Sequence, residues 1–293
     1  MDFGIRLDKN TYDAGETAKG TLITRSDNIL KVRKLKFSVC GKERYEEGMV
    51  GQWEYFASPS EKYDIFFFED LYPLLKSTNA FPYINDRIEI PQGSFAIPFH
   101  FSIPHNALES YRGKVARIVY EVEVSADMGR WKRDYHNALS FEVLNPNMTY
   151  TFGDRSYLGK EQEKKEGEPY LGLELEMTNG ISDVPKFSPG QIIKGRLKIE
   201  NTDLTRVKKA IIQLYGVEYP KWGDTRTISE NIKKEIKYDE SKNKDTIAFE
   251  IQIPQNAKRS YNAKHSEYYW LLETQVDISG SPDIHAKRII QVA

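Results

Sequence analysis

Cysteine is almost absent from this sequence: Cys40 is the only one in 293 residues. No disulfide can close within the chain, and a lone thiol suits a reducing compartment. Net charge is also scarce, with 42 Lys and Arg against 43 Asp and Glu and a formal charge of -1. That balance argues against a nucleic-acid binder, which needs a basic footprint to displace counterions. Long apolar runs are missing, since none approaches the ~18–20 residues that cross a bilayer. The opening, MDFGIRLDKNTY, lacks a basic segment leading into an apolar core, so no secretory signal is expected. The five histidines, His100, His105, His136, His265 and His285, are scattered without metal-ligand spacing. These shortages point to a soluble cytoplasmic protein that carries no metal or other cofactor.

What the chain has in quantity is alternation. In Ile97–Ser102, Ile97, Phe99 and Phe101 alternate with Pro98, His100 and Ser102, and Ile103 ends the run before Pro104. Ala116, Ile118, Tyr120, Val122 and Val124 then alternate with Arg117, Val119, Glu121 and Glu123. Strand side chains point to opposite faces with period two, so each run reads as a half-buried strand. The pattern returns: Ile247, Phe249, Ile251 and Ile253 precede Pro254, and a second alternating run extends from Tyr268 to Ile278.

The recurrence is detailed enough to align. Tyr12, Gly15 and Gly20 correspond to Phe187, Gly190 and Gly195, and Val32–Gly41 to Val207–Gly216, at one constant offset. Pro104, Tyr111 and Tyr120 correspond to Pro254, Tyr261 and Trp270 at a second. The shorter second offset leaves extra residues in the first half, where Asp64–Ser77 is the best helix candidate. The fold expected is all-β: two tandem antiparallel immunoglobulin-like sandwiches, with one short helix in the first. Domains are expected at 1–145 and 169–293, joined by a linker over 146–168, where GKEQEKKEGEP is almost entirely charge, Gly and Pro.

Little in the sequence points to chemistry. Gly15–Thr21 distantly resembles a phosphate-binding loop, but the Gly-Lys-Ser/Thr ending is missing and a strand follows it. A turn glycine and a strand glycine are the favoured reading, because the second half repeats them. Cys40 reads as a core cysteine, with nothing nearby to lower its pKa. Carboxylates are plentiful, yet none falls in a recognisable hydrolase motif. Trp53, Tyr55, Trp222 and Trp270 could act as aromatic platforms for sugars, although Trp270 lies on the apolar phase of its strand. The stretch Ser229–Asp245 reads as a solvated loop or a mobile hairpin.

Two basic groups stand out: Lys31, Arg33, Lys34 and Lys36, and Arg206, Lys208 and Lys209. The plain reading is charge that shields a strand edge from pairing. The functional reading is an anion-contacting face, in which Lys34 and Lys36 flank Ser38.

In series, the Tyr-x-x-Gly-x-x-x-x-Gly strand pair, LKVRKLKFSVCG, IPFHFSIPHNALESY and RIVYEVEV resemble the amino-terminal domain of the arrestin clan. VKKAIIQLYG, FEIQIPQNAKRSY and YYWLLETQVDI resemble its carboxy-terminal domain. The likeness covers residues 3–145 and 168–293, and is nearest to the broad alpha-arrestin-like branch. It implies a non-enzymatic scaffold that binds membrane-protein tails and adaptors through sandwich faces and loops, and it supports the helix between Asp64 and Ser77. Departures narrow the transfer. The first strand offers only Arg6, with Lys9 after it, in place of paired phosphate-sensing lysines. No Pro-Pro-x-Tyr motif is present, and no regulatory tail is expected beyond Ala293. A minimal prokaryotic-type arrestin-like protein fits best.

The function expected is therefore an arrestin-like adaptor docking protein partners through sandwich surfaces or edge strands, with membrane-protein cytoplasmic segments among the candidates. Arg6, Lys31, Arg33, Lys34 and Lys36 are the expected partner-binding residues. The alternative is a β-sandwich enzyme or carbohydrate-binding module. A third reading is peripheral membrane recruitment through the basic strands. The oligomeric state is left open.

Overall fold

A computed structural model of the chain describes residues 2–47, 60–77, 81–84, 87–129, 134–150, 152, 165–176, 184–221, 226–239 and 245–293. It divides into two compact units, one of 1–112 with 116–148, the other of 113–115 with 149–293. Each is almost entirely β.

In the first unit, β1 (Asp2–Leu7), β3 (Thr17–Ser26) and β9 (Gly93–Ser102) form a three-stranded sheet in that order. The facing sheet runs β2 (Thr11–Asp13), β12 (Tyr135–Leu144), β11 (Ala116–Asp127), β5 (Lys34–Glu47), β6 (Ser60–Asp70), with β10 (Tyr111–Arg112) on β11. A small third sheet joins β4 (Leu30–Val32), β8 (Arg87–Ile90) and β7 (Tyr83–Ile84).

The second unit repeats the order. Its smaller sheet is β13 (Tyr170–Leu175), β15 (Ile192–Glu200), β18 (Thr246–Gln252). The larger is β14 (Lys186–Phe187), β21 (Ile284–Val292), β20 (Ser266–Ile278), β16 (Val207–Pro220), β17 (Thr227–Lys237), with β19 (Tyr261–Asn262) on β20. Pairing is antiparallel, except that β2 lies parallel to β12 and β14 parallel to β21.

The period-two pattern puts the apolar residues where expected. Ile97, Phe99, Phe101 and Ile103 are buried, as are Ile247, Phe249, Ile251 and Ile253, while Pro98, His100, Ser102, Ala248, Glu250 and Gln252 are exposed. Fully burying one such side chain contributes about 1.5–3 kcal/mol. The run from Tyr268 to Leu272 departs from alternation, because both faces are covered. On its outer parity, Tyr269 meets the ring of Phe152 at 5.7 Å.

The aligned positions make the same bonds in both units. Tyr120 Oη donates to the Leu108 carbonyl at 2.6 Å, and Trp270 Nε1 to the Lys258 carbonyl at 2.9 Å. Val143 N–H donates to Ser110 Oγ at 2.9 Å, and Val292 N–H to Ser260 Oγ at 3.0 Å. Gly15 and Gly190 both adopt positive φ, at 88° and 81°. At Gly20 a Cβ would lie 2.5 Å from the Phe99 ring, and at Gly195 2.6 Å from the Phe249 ring. Both halves of the phosphate-loop lookalike are thus structural.

Two expectations change. The helix is α1 (Tyr72–Ser77) alone, and Asp64–Asp70 belongs to β6. The aromatic run is a strong strand former, and its backbone pairs with β5, Phe68 opposite Cys40 and Phe67 opposite Gly41. Asp70, not Asp64, starts the helix, its carboxylate accepting from the Tyr72 N–H at 3.0 Å. Pro73 falls in the first turn, where its missing N–H costs nothing. Ser229–Lys237 is most of β17, paired antiparallel with the preceding β16, so of the two readings of this stretch the loop is replaced by a strand and the hairpin pairing is present. An inward-facing lysine, Lys234, between Ile232 and Ile236 hides the alternation.

Candidate partner-binding surfaces

The basic residues of the first unit do not share one face. On β5 the buried Leu35, Phe37 and Val39 fix the opposite parity as outward, so Lys34 and Lys36 are exposed on the outer face of the larger sheet. Ser38 lies on that face, as expected. Arg6 is exposed on the smaller sheet, where Phe3 and Leu7 take the inner parity. Opposite layers of a sandwich present opposite outer faces, so Arg6 is separated from Lys34 and Lys36. Lys31 on β4 is paired with Glu89 on β8 at 3.0 Å. Arg33 links β4 to β5 and is exposed. The edge-shielding reading stays open for Lys34 and Lys36, because β6 pairs with β5 only from Ser38 onward and these two lysines pair with β11 alone. In the second unit, Arg206 donates to the Ser279 carbonyl at 2.6 and 2.9 Å, and Lys209 pairs with Glu235 at 3.2 Å.

Farther along the same outer face of β5 lies an ion network. Lys42 pairs with Glu121 at 3.0 Å and with Glu123, and Arg44 Nη2 lies 2.8 Å from both Glu121 oxygens. Burial pushes the Glu121 carboxyl up, but Lys42 and Arg44 outweigh it and hold it below the usual range. The Lys42 ammonium, despite burial, is raised by its two carboxylates. Cys40 also has outward parity, yet it is buried. Its thiol is pushed up to about 11, first by burial and then by Glu123, which leaves little thiolate at neutral pH.

Beside this network, edge strand β6 exposes large apolar side chains: Tyr63 at 63%, Phe68 at 60% and Ile65 at 46%. Lys42 Nζ stands 5.8 Å from the Tyr63 ring centre. Toward the cleft between the sheets, Glu69 has inward parity, opposite the buried Val39, and the Ser102 backbone on β9 favours its charged form. Burial raises the Glu69 carboxyl, which the Ser102 backbone and nearby His100 only partly offset.

The second unit has a groove at the equivalent place, between edge strands β17 and β18. It encloses about 610 Å3 and is lined by Ile192, Ile232, Ile251 and Ile253 with Lys233, Lys234 and Glu250 among the polar residues. Lys234 Nζ crosses it to donate to the Glu250 carbonyl at 2.8 Å. Sequence reasoning missed this groove. Its only sign was a lysine interrupting the isoleucines of Ser229–Lys237.

No candidate aromatic platform gains support. Trp270 is fully buried, and Trp53, Tyr55 and Trp222 lie outside the described residues. Among the described residues, no three His, Cys, Asp or Glu side chains converge as a metal centre requires, and no helix is long and apolar enough to cross a membrane.

Comparison with known proteins agrees with this architecture. The sequence profile of the arrestin (or S-antigen) N-terminal domain matches residues 2–148. Arrestin domain-containing protein 1 of Rattus norvegicus and of Mus musculus are each 26% identical over 154 residues, and that of Homo sapiens 24%. These matches cover 50% of this chain and 35% of each relative, so the matched stretch spans about a third of the curated relatives' length.

Proposed function

The chain belongs to the arrestin family, and on that premise we propose that it is a non-enzymatic adaptor that docks protein partners in the cytoplasm. The observation that carries this reading is the pair of sandwiches with the same strand order, one of them matching the arrestin amino-terminal domain. We take the shared order and the shared hydrogen bonds as a duplication, with domains at 1–145 and 169–293. What the sandwiches offer is broad surface and open sheet edges, which suit an extended protein segment. A catalytic site needs a cleft with convergent polar groups. The outer face bearing Lys34 and Lys36, with Arg33 and Lys31 beside it, would contact acidic or phosphorylated segments of a partner. Arg6 would serve a separate contact on the opposite layer. Cytoplasmic tails of membrane proteins are the partner class favoured by the family.

The test is crosslinked affinity capture with the full chain in its source cells, keeping soluble and membrane fractions apart. A partner recovered repeatedly, and lost with Lys34→Glu/Lys36→Glu, supports the reading. Recovery of none from either fraction contradicts it.

A further inference from the structure

We propose that the groove between β17 and β18 is a strand-docking site for an extended protein segment that alternates apolar residues with a carboxylate-bearing one. This inference deepens the adaptor reading and rests on it.

The backbone geometry supplies the docking edge. Among the described residues β18 pairs only with β15, with Glu250 opposite Lys194 and Gln252 opposite Ile192. The Lys194 carbonyl is turned to β13, where it accepts from the Glu176 N–H at 2.9 Å. Lys194 and Glu250 are therefore a non-hydrogen-bonded pair, and Glu250 turns its N–H and carbonyl toward the groove. By the same alternation Ala248 turns its own groups that way. An edge with such a row of groups is a template for an added strand.

Side chains set what that strand must carry. The buried Ile251 and Ile253 of β18 and the half-buried Ile232 of β17 give the groove an apolar floor. Every second residue of a docked strand would face it, and those residues should be apolar. Charge selects the rest. Lys194 pairs with Glu250 at 3.0 Å and Lys233 with Glu235 at 2.9 Å, whereas among the described residues the Lys234 ammonium reaches a neutral carbonyl within the groove. An inward-pointing lysine on an edge strand deters a neutral or basic strand from pairing there. An incoming carboxylate would reverse that effect: it takes the ammonium from the Glu250 carbonyl and frees that carbonyl to accept from the docked strand's own N–H.

The groove's occupant is thus an acidic, alternating segment, admitted by exchange of one hydrogen bond of Lys234. The exchange is also a gate. A segment without the carboxylate leaves Lys234 in place and the edge capped.

The experiment uses the full chain and two fluorescein-labelled nonapeptides, capped at both ends: one alternating Val with Glu, the other Val with Lys. Anisotropy titrations are run with the unaltered protein, with Lys234→Glu, and with Ala248→Pro. The proline removes an N–H from the open edge and none from the ladder with β15. The acidic peptide should saturate the unaltered protein and weaken by about tenfold against Lys234→Glu, the scale of one charge-assisted contact. It should weaken comparably against Ala248→Pro, and the lysine peptide should prefer Lys234→Glu. Melting curves establish that each variant is folded, and Lys234→Glu, an exposed change, carries the decision if the proline variant does not fold. No binding of the acidic peptide, or equal affinity for the unaltered and Lys234→Glu proteins, overturns the inference. Recovery of a cellular partner by both the unaltered and Lys234→Glu chains, with no binding of the acidic peptide, overturns the groove but leaves the adaptor reading standing. Recovery by neither overturns the adaptor reading itself.

Discussion

The Lys234 ammonium on β17 donates to the backbone carbonyl of Glu250 on β18 at 2.8 Å, tying the open edge of one sheet to that of the other. The first unit solves the same problem with the opposite charge. Glu69 on β6 has inward parity, and the Ser102 backbone on β9 favours its charged form. Each sandwich ends its larger sheet in an exposed strand, and each turns a charged side chain inward there, toward the edge of the smaller sheet. Inward charges of this kind keep edges from pairing indiscriminately. In this protein they also decide what an edge will accept.

Glu69 should give stability a pH dependence of known sign. Its carboxyl is raised above the ordinary 4.5, chiefly by burial. The folded state therefore holds its proton more tightly than the unfolded state does. The contribution is fully present below the unfolded pKa and is lost as pH rises through the folded one. Urea midpoints for the unaltered chain and Glu69→Gln should diverge over that window, with the glutamine variant gaining relative to its parent. A gap independent of pH would refute this.

Glu121 should behave in the opposite way. Burial raises its carboxyl, but Lys42 and Arg44 bring the net value below 4.5. Its stabilisation is present above the unfolded pKa and is lost as pH falls through the folded one. Lys42→Met leaves a buried carboxylate with one partner fewer and should cost about 1–3 kcal/mol at pH 7. Chemical denaturation should show that cost shrinking in acid.

The two strand glycines should be equally intolerant of a side chain. A Cβ at Gly20 would lie 2.6 Å from the Arg6 carbonyl, and one at Gly195 2.6 Å from the Glu174 carbonyl. Backbone cannot swing aside as a flexible side chain does. Gly20→Ala and Gly195→Ala should each destabilise by about 1–3 kcal/mol, the range for overpacking. Thermal denaturation checks this, and an unchanged midpoint in either variant would mean the close approach is absent.

Cys40 should resist modification. Its thiol is buried and pushed up to about 11, so reaction with Ellman's reagent at pH 8 should be slow in the native protein and rapid in guanidinium. Fast native labelling would contradict the burial.

The sequence made the sandwiches legible because one face of each strand is core. Phe99, Phe101, Phe249 and Ile251 repeat at period two, and the turn and strand glycines recur where backbone approach demands them. The alternation failed where burial was two-sided or where charge broke it. At Tyr268–Leu272 both faces are covered, so no alternation remains to be read. At β6 three successive phenylalanines mimic a helix core, although their backbone completes a sheet. At β17 Lys234 occupies an inward position, and a capped edge therefore looks like a solvated loop. The basic group was legible as a cluster along the chain. That Arg6 stands on the other layer from Lys34 and Lys36 follows from sheet pairing, which local pattern does not encode. The groove needed two strands distant in sequence, and no local signal joins Lys234 to Glu250.

The central claim is that this chain is an adaptor whose sandwich surfaces hold a protein partner. The most direct measurement places a photo-crosslinking amino acid, one position at a time, in the full chain in its source cells. Exposed positions Lys36, Phe68 and Gln252 are compared with buried Val122 and Leu214. The account predicts that the same partner is crosslinked from one or more of the exposed positions and from neither buried one. Crosslinks absent from every exposed position, or no richer there than at Val122 and Leu214, would contradict it.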